Sequence, residues 1–331
     1  MFNNKIILIT GGTGTFGQEF CKVLAQNYKP RKIIVFSRDE LKQFEMANIY
    51  NQKFFRFFIG DVRDSERLNM AMKNVDIVVH AAAMKHVEIS EYNPQECIKT
   101  NINGAQNVID AAIKNKVKKV IALSSDKAVG PLNLYGATKL ASEKLFIAAN
   151  NITGGSTVFS SIRYGNVSGS RGSVIPYFKN LVENKSIFIP ITHLEMTRFF
   201  ILIQDGVKFV LKCLKTMQGG EIFVPKLNSF KIIDLIKAIA PTKKVKIIGI
   251  RPGEKIHEIL FSKDESRYCI EFSDHYLIPP LINLTYKKNF SLNCLKERGK
   301  KINIIKEYSS ANGMFLSVLD IKDILKKNNF I

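Results

Sequence analysis

The sequence has no CxxC pair, no internal repeat, no low-complexity linker and no apolar run long enough to span a bilayer. Its five cysteines, Cys21, Cys97, Cys213, Cys269 and Cys294, are odd in number and far apart. That pattern excludes a disulfide framework and fits reduced thiols of the cytoplasm. The five histidines, His80, His86, His193, His257 and His275, show no metal-ligand spacing, so no metal is expected. The apolar stretch Ile6–Ile9 near the start is too short for the core of a signal peptide. Acidic residues are few, 29 against 49 lysines and arginines, a formal charge of +20. The lysines are scattered and form no nucleic-acid module, so the imbalance reads as a solvated basic surface. Neither a nucleic-acid nor a membrane partner is expected, although a positive field attracts a substrate carrying a pyrophosphate.

What is present is an alternation. Short runs rich in Val and Ile occur at Lys5–Thr10, Lys32–Ser37, Phe54–Ile59, Asp76–Ala81, Lys119–Ser124 and Ser161–Tyr164. Unbroken runs of this kind suit strands buried on both faces. Helical candidates lie between them, at Phe16–Asn27, Ser65–Lys73, Pro94–Asn115 and Tyr135–Asn150. The alternation predicts an α/β fold, a Rossmann doubly wound parallel sheet. After about Asn166 the rhythm breaks. Residues 1–165 are expected to form the dinucleotide-binding domain, and 166–331 mainly a smaller α/β substrate cap, with segments near 195–226 rejoining the first domain.

The first strand runs into Gly11-Gly12-Thr13-Gly14-Thr15-Phe16-Gly17. Gly11 permits a tight turn, Gly14 lets backbone approach a pyrophosphate, and Gly17 lets the next helix pack close to the strand. The pattern alone also fits a plain tight turn; its place between strand and helix at the chain start points to a dinucleotide. At the end of the second strand, Ser37, Arg38 and Lys42 suit the 2′-phosphate of NADP, while Asp39 could instead bind ribose hydroxyls. Asp61 is placed to accept from an adenine amino group or to cap its own turn, with Val62 beside it. Ala81 follows the fourth strand, where a small residue allows close approach to the cofactor.

Tyr135 and Lys139 stand at i and i+4, on one face of a helix. A lysine cation there would lower the phenol from its ordinary value of about 10, so that it can take a hydroxyl proton while hydride leaves to a nicotinamide. Asp126-Lys127 lies just upstream, after the fifth strand. On spacing alone that pair could equally be a loop ion pair.

The stretches GGTGTFG, SRDELKQFEM, GDVRD, HAAAMKHV, NLYGATKLASEKLF, RYGNVSGSRGSV, MTRFF, GGEIFVPK and RPGEKIHE together resemble the extended short-chain dehydrogenase/reductases. Within them the chain looks most like the inverting UDP-N-acetylglucosamine 4,6-dehydratases that open the pseudaminic acid pathway for flagellin glycosylation. The resemblance implies NADP as cofactor, a UDP-N-acetylglucosamine substrate and a homo-oligomer. It implies Asp126 as acid for the C6 hydroxyl and Lys127 as base at C5. A neutral lysine at pH 7 then needs its pKa lowered, which burial beside Lys139 is expected to supply. It further implies Asn166 at the cofactor, and Lys85, Ser125, Val167, Arg171, Arg251 and Glu254 at the substrate, with Arg198 serving similarly. Related membrane-bound retaining enzymes carry Met where Tyr135 stands. The chain departs from the pattern at Ser125 (Thr in relatives), at Gly130 (Asn) and at His193-Leu194-Glu195. A nucleotide-sugar 4-epimerase would use the same Tyr135 and Lys139 without needing Asp126-Lys127, and a silent NADP-binding sensor would bind without turnover.

Overall fold

The computed structural model describes residues 1–50, 53–169, 173–282 and 288–330. Six parallel strands, β1 Ile6–Thr10, β2 Lys32–Ser37, β3 Phe55–Ile59, β4 Ile77–His80, β5 Lys119–Leu123 and β6 Val158–Ile162, build the main sheet. Their spatial order is β3-β2-β1-β4-β5-β6. The strand Ile222–Pro225 extends it in parallel beside β6, and His275–Ile278, Ile270–Glu271 and Lys300–Lys301 continue it antiparallel.

The β-branched runs are buried on both faces because each face is covered by helices. Along β1, Ile7 and Ile9 join one core cluster with Phe20, Leu24, Val210 and Leu214. Leu8 joins the other, with Val108, Phe146 and Phe159. The first cluster packs helices Thr15–Asn27 and Ile203–Thr216, the second Gly104–Lys114 and Leu134–Thr153. Chain order reverses between β1 and β4, so the connections after these strands leave in opposite directions and open a crevice at their carboxyl ends. A third cluster, including Ile175, Phe178, Leu235, Ile236, Ile321 and Leu325, forms a smaller body above that edge.

Two elements differ from the sequence reading. β6 starts three residues earlier than expected, at Val158. Its Ser160 and Ser161 are fully buried, and Ser161 donates to the Ala122 carbonyl at 3.3 Å. Serines buried within a sheet hide a strand from a reading based on apolar residues. The shift frees Arg163–Asn166 to form a loop at the crevice. The single helix expected over Pro94–Asn115 is interrupted by a π-helical turn at Lys99–Asn103. That turn points Asn101 at the backbone of Met84, accepting from its N–H at 2.8 Å and donating to its carbonyl at 2.9 Å. The extra residue in the helix thereby pins the segment after β4.

Candidate active site

The crevice is a cleft of about 710 Å³. Helix Thr15–Asn27 begins beneath it with Gly14 as N-cap, no side-chain cap and no acid in the first turn. Its first N–H groups are thus left for an anion, and the dipole favours one there. Gly11 has φ +66°, and a Cβ on it would stand 2.9 Å from the Ala82 backbone. A Cβ on Gly17 would stand 2.4 Å from Gly12. Thr13, Gly14, Thr15, Phe16, Val62 and Ala81 complete this wall. The residues fit a dinucleotide pyrophosphate.

At the outer end, the Thr13 and Ser37 hydroxyls share a hydrogen bond of 2.6 Å. Ser37, Arg38 and Lys42 line the cleft. Asp39 does not compete for ribose with both its oxygens free: Oδ1 accepts from the Lys42 backbone N–H at 3.0 Å as an N-cap, and Oδ2 pairs with the Lys42 ammonium. Asp61 caps its own turn, accepting from the Arg63 N–H at 2.9 Å, and meets the guanidinium groups of Arg63 at 2.7 Å and Arg38 at 3.4 Å. Burial pushes its carboxyl up, but these contacts outweigh it and hold it below the usual value.

The inner end holds the catalytic candidates. Asn133 caps helix Leu134–Thr153, accepting from the Gly136 N–H at 2.8 Å, and the helix presents Tyr135 and Lys139 to the cleft. Asp126 and Lys127 sit on a 3-10 turn capped by Ser125. The Ser125 hydroxyl donates to Asp126 Oδ1 at 2.8 Å. Asp126 is 1% exposed, and its Oδ2 has no hydrogen-bond partner. Burial lifts this carboxyl above the usual range against the pull of the Lys127 ammonium, favouring the protonated acid.

Two electrostatic expectations are corrected. Lys139 was to depress the Tyr135 phenol; instead burial raises the phenol, and the partial relief comes from the Lys127 charge and a hydrogen bond with Ser125. Lys139 turns its Nζ to the Leu123 carbonyl at 2.5 Å, and burial brings it down to about 8. Lys127 was to be driven neutral by burial beside Lys139. Burial does act in that direction, but its Nζ lies 3.2 Å from Asp126 Oδ1 and 3.0 Å from Glu258 Oε1, and the two carboxylates hold it protonated above its ordinary value.

Among the substrate candidates, Lys85, Ser125 and Val167 line the cleft, with Asn166 and His86. Burial lowers the Lys85 ammonium. Arg251 and Glu254 do not reach the lining. Arg251 is half exposed, 3.8 Å from Glu88, and its loop is held to the tyrosine helix, where the Asn133 side chain donates to the Gly253 carbonyl at 2.8 Å. Arg198 is buried and faces Glu254 at 3.5 Å and Glu258 at 3.7 Å. Arg171 lies outside the described residues. Gly130 adopts φ +51°, and its neighbour Val129 is fixed by the Lys255 ammonium at 2.6 Å. Among the described residues, no three His, Cys, Asp or Glu groups gather where a metal could bind, and no helix is long and apolar enough to cross a membrane. Glu258 was missed by sequence reasoning. It lies far along the chain, and its only signal was its place in the RPGEKIHE stretch.

Residues 7–280 match the family described as polysaccharide biosynthesis protein. An inverting UDP-N-acetylglucosamine 4,6-dehydratase of Campylobacter jejuni is 60% identical, covering 98% of each chain. A protein named UDP-glucose 4-epimerase from Rickettsia conorii is 40% identical, over 100% of this chain and 98% of its own. The solved structure of Pen from Bacillus thuringiensis superimposes with a TM-score of 0.90 at 38% identity, covering 100% of both chains. With the crevice, the glycine loop and the Tyr135–Lys139 helix in place, the chain belongs to the polysaccharide biosynthesis protein family of extended short-chain dehydrogenase/reductases, in the branch of the inverting nucleotide-sugar 4,6-dehydratases.

Proposed function

We propose that this protein is an NADP-dependent UDP-N-acetylglucosamine 4,6-dehydratase that inverts C5. Its product is a UDP-4-keto-6-deoxy-L-sugar, entering the route to pseudaminic acid for flagellin glycosylation. The observation that carries the reading is the buried Asp126-Lys127 turn facing Tyr135 across one cleft. An epimerase needs the tyrosine but has no proton to move at C5 or C6.

Bound NADP+ would supply a temporary hydride store, taking hydride from C4 and returning it to C6. Tyr135 takes the C4 hydroxyl proton, with the Lys127 charge and Ser125 stabilising the phenolate. The C4 ketone then acidifies the C5 proton, which Lys127 removes. Asp126, whose carboxyl burial lifts above the usual range, gives a proton to the C6 hydroxyl as it leaves as water. Return of a proton to C5 on the other face inverts the centre. The cofactor ends as it began, so the reaction is a hydro-lyase reaction. Ser37, Arg38 and Lys42 support NADP rather than NAD, since Asp39 is committed to its helix cap.

The test is incubation of the purified chain with UDP-N-acetylglucosamine and NADP+ in deuterated water, followed by NMR. The expected product is a 4-keto-6-deoxy sugar with inverted C5 carrying solvent deuterium. A C4 epimer alone would make the protein an epimerase, and absence of any product would leave a cofactor-binding sensor.

A further inference from the structure

The segment 253–258 lies along the loop that joins the Asp126–Ala128 turn to the tyrosine helix, and touches it at three points. Glu258 Oε1 meets the Lys127 ammonium at 3.0 Å, the Lys255 ammonium donates to the Val129 carbonyl at 2.6 Å, and the Gly253 carbonyl accepts from the Asn133 side chain at 2.8 Å. The partners pair in opposite chain order, so the two stretches run antiparallel. The segment has support of its own. The Ile256 carbonyl accepts from the Thr197 N–H and from the Arg198 guanidinium, both at 3.0 Å. The Glu258 N–H donates to the Ser310 hydroxyl at 2.9 Å, and the Ser310 N–H donates to the Glu258 carbonyl at 2.8 Å. The middle contact falls where the loop has least else to hold it. Val129 is buried and ends the turn. Gly130 follows with φ +51°, and beyond its chain neighbours a Cβ there would find only the Lys255 Nζ within 4 Å, at 3.9 Å, among the described residues. Leu132 is 64% exposed. Packing therefore does little to fix residues 130–132.

We infer that Lys255 is a positioning residue for the reaction: its hydrogen bond to the Val129 carbonyl holds the Asp126–Ala128 turn at the spacing from Tyr135 that proton transfer at C5 and C6 requires. A buried carbonyl needs a donor, and a charged donor gives a stronger bond than a neutral one. Tyr135 does not depend on this tether. Asn133 caps its helix at the Gly136 N–H, 2.8 Å away, and the Thr138 hydroxyl donates to the Tyr135 carbonyl at 2.8 Å. Gly136 packs directly against the Lys127 carbonyl, so the turn has no room to move toward the helix. When released it can only draw away, which widens the gap between the acid–base pair and a sugar whose C4 is held at Tyr135. A misplacement of about 1 Å costs on the order of 100-fold in rate. Loss of the tether should therefore divide the reaction, with C4 oxidation continuing and loss of water stalling.

The inference rests on the reading of Asp126 and Lys127 as the acid–base pair of a dehydratase, and the test separates the two. Lys255→Met keeps the length of the side chain and removes the donor. With UDP-N-acetylglucosamine and NADP+, this variant should form the 4-keto-6-deoxy product about 100-fold more slowly. Appearance of reduced nicotinamide in a single turnover, which reports C4 oxidation, and KM should stay within a few-fold. Reduced cofactor should then accumulate and persist in the variant. Lys255→Arg, which can still donate to the carbonyl, should recover most of the rate. Lys255 also brings a charge near Glu258, Asp126, Lys127 and Glu307. A lost tether lowers the rate evenly across about pH 6–9, whereas a lost charge displaces the profile along the pH axis. Unchanged turnover in Lys255→Met, equal loss of C4 oxidation and dehydration, no recovery in Lys255→Arg, or a displaced profile that regains the full rate would each overturn the positioning role and leave the dehydratase reading standing. A wild type that forms no 4-keto-6-deoxy sugar would overturn both.

Discussion

Lys139 shows how a cleft-lining side chain can be held at a cost in stability. Burial pushes its ammonium to about 8 from an ordinary 10.5, with Glu143 offsetting part of the effect. Below pH 8 the residue is charged in both folded and unfolded chains, and folding carries the whole cost of burying it, roughly 3 kcal/mol. The cost fades as pH rises to 10.5, where both forms are neutral. Lys139→Met should thus stabilise the cofactor-free chain by about 1–2 kcal/mol at pH 7, after about 1 kcal/mol is lost with the hydrogen bond to Leu123. The gain should vanish above pH 10.5. Urea denaturation at the two pH values measures this, and equal effects at both would refute it. Turnover should be lost regardless. Arg38 supplies a second residue-scale prediction. On the proposed NADP reading, replacing it with Ala removes a charge-assisted contact to the 2′-phosphate, worth about 1.5–3 kcal/mol. The preference for NADP over NAD should fall by at least about 10-fold, measured by the ratio of the two dissociation constants. An unchanged ratio would return the choice to Asp39.

At the scale of elements, the Asp126–Ala128 turn and the tyrosine helix meet through a glycine. A Cβ on Gly136 would stand 2.3 Å from the Lys127 carbonyl and 3.1 Å from Pro131 Cβ. Neither neighbour is the loose end of a side chain, so one element must move. Alanine is the better helix former by about 1 kcal/mol, which isolates the packing effect from propensity. Gly136→Ala should leave far-ultraviolet circular dichroism intact and reduce kcat by about 100-fold, as a shift of about 1 Å between acid–base groups and substrate does. Wild-type kcat in this variant would mean that the turn is free to slide. The π-helical turn at Lys99–Asn103 and the early start of β6 belong to the same scale. Each re-aims a segment next to the cleft, and neither shows in hydrophobic periodicity.

Across the whole molecule, a buried arginine ties the end of β6 to the tyrosine helix and to the segment around Leu260 and Glu265. Arg163, just after β6, donates to Glu143 at 2.6 and 2.8 Å, to Glu265 at 2.8 and 2.9 Å, and to the Leu260 carbonyl at 3.2 Å. Arg163→Met strands a fully buried Glu143, so a loss of about 3–5 kcal/mol in urea unfolding is expected. The double variant with Glu143→Gln should lose much less. The pair also has an acid signature. Burial pushes Glu265 up, but Arg163 outweighs it and holds the carboxyl below its ordinary 4.5. A depressed carboxyl contributes stability that is complete above the unfolded value and lost as pH falls through the folded one. The wild type should therefore weaken below about pH 4.5 more steeply than the Arg163→Met variant. Parallel acid dependence in the two proteins would remove Glu265 from the account.

The order of elements was legible in the chain because parallel strands buried on both faces must be nearly all apolar, and because a dinucleotide turn needs glycine at fixed offsets. The sequence by itself therefore determined the doubly wound sheet, the glycine turn between the first strand and helix, and the placing of Tyr135 and Lys139 on one helix. It also placed Asp126 and Lys127 next to each other. What surrounds them was decided only by tertiary structure. Glu258 reaches Lys127 from 131 positions away, through a segment whose backbone hangs on Ser310 and Thr197. No local pattern encodes that distance, and the reversal of the expected Lys127 charge follows from it. The same holds for Arg251, whose motif suggested the cleft and whose side chain stands beside Glu88 rather than in the lining. Electrostatic character depends on which charges share a buried volume, and shared volume is a property of the fold rather than of neighbours in sequence.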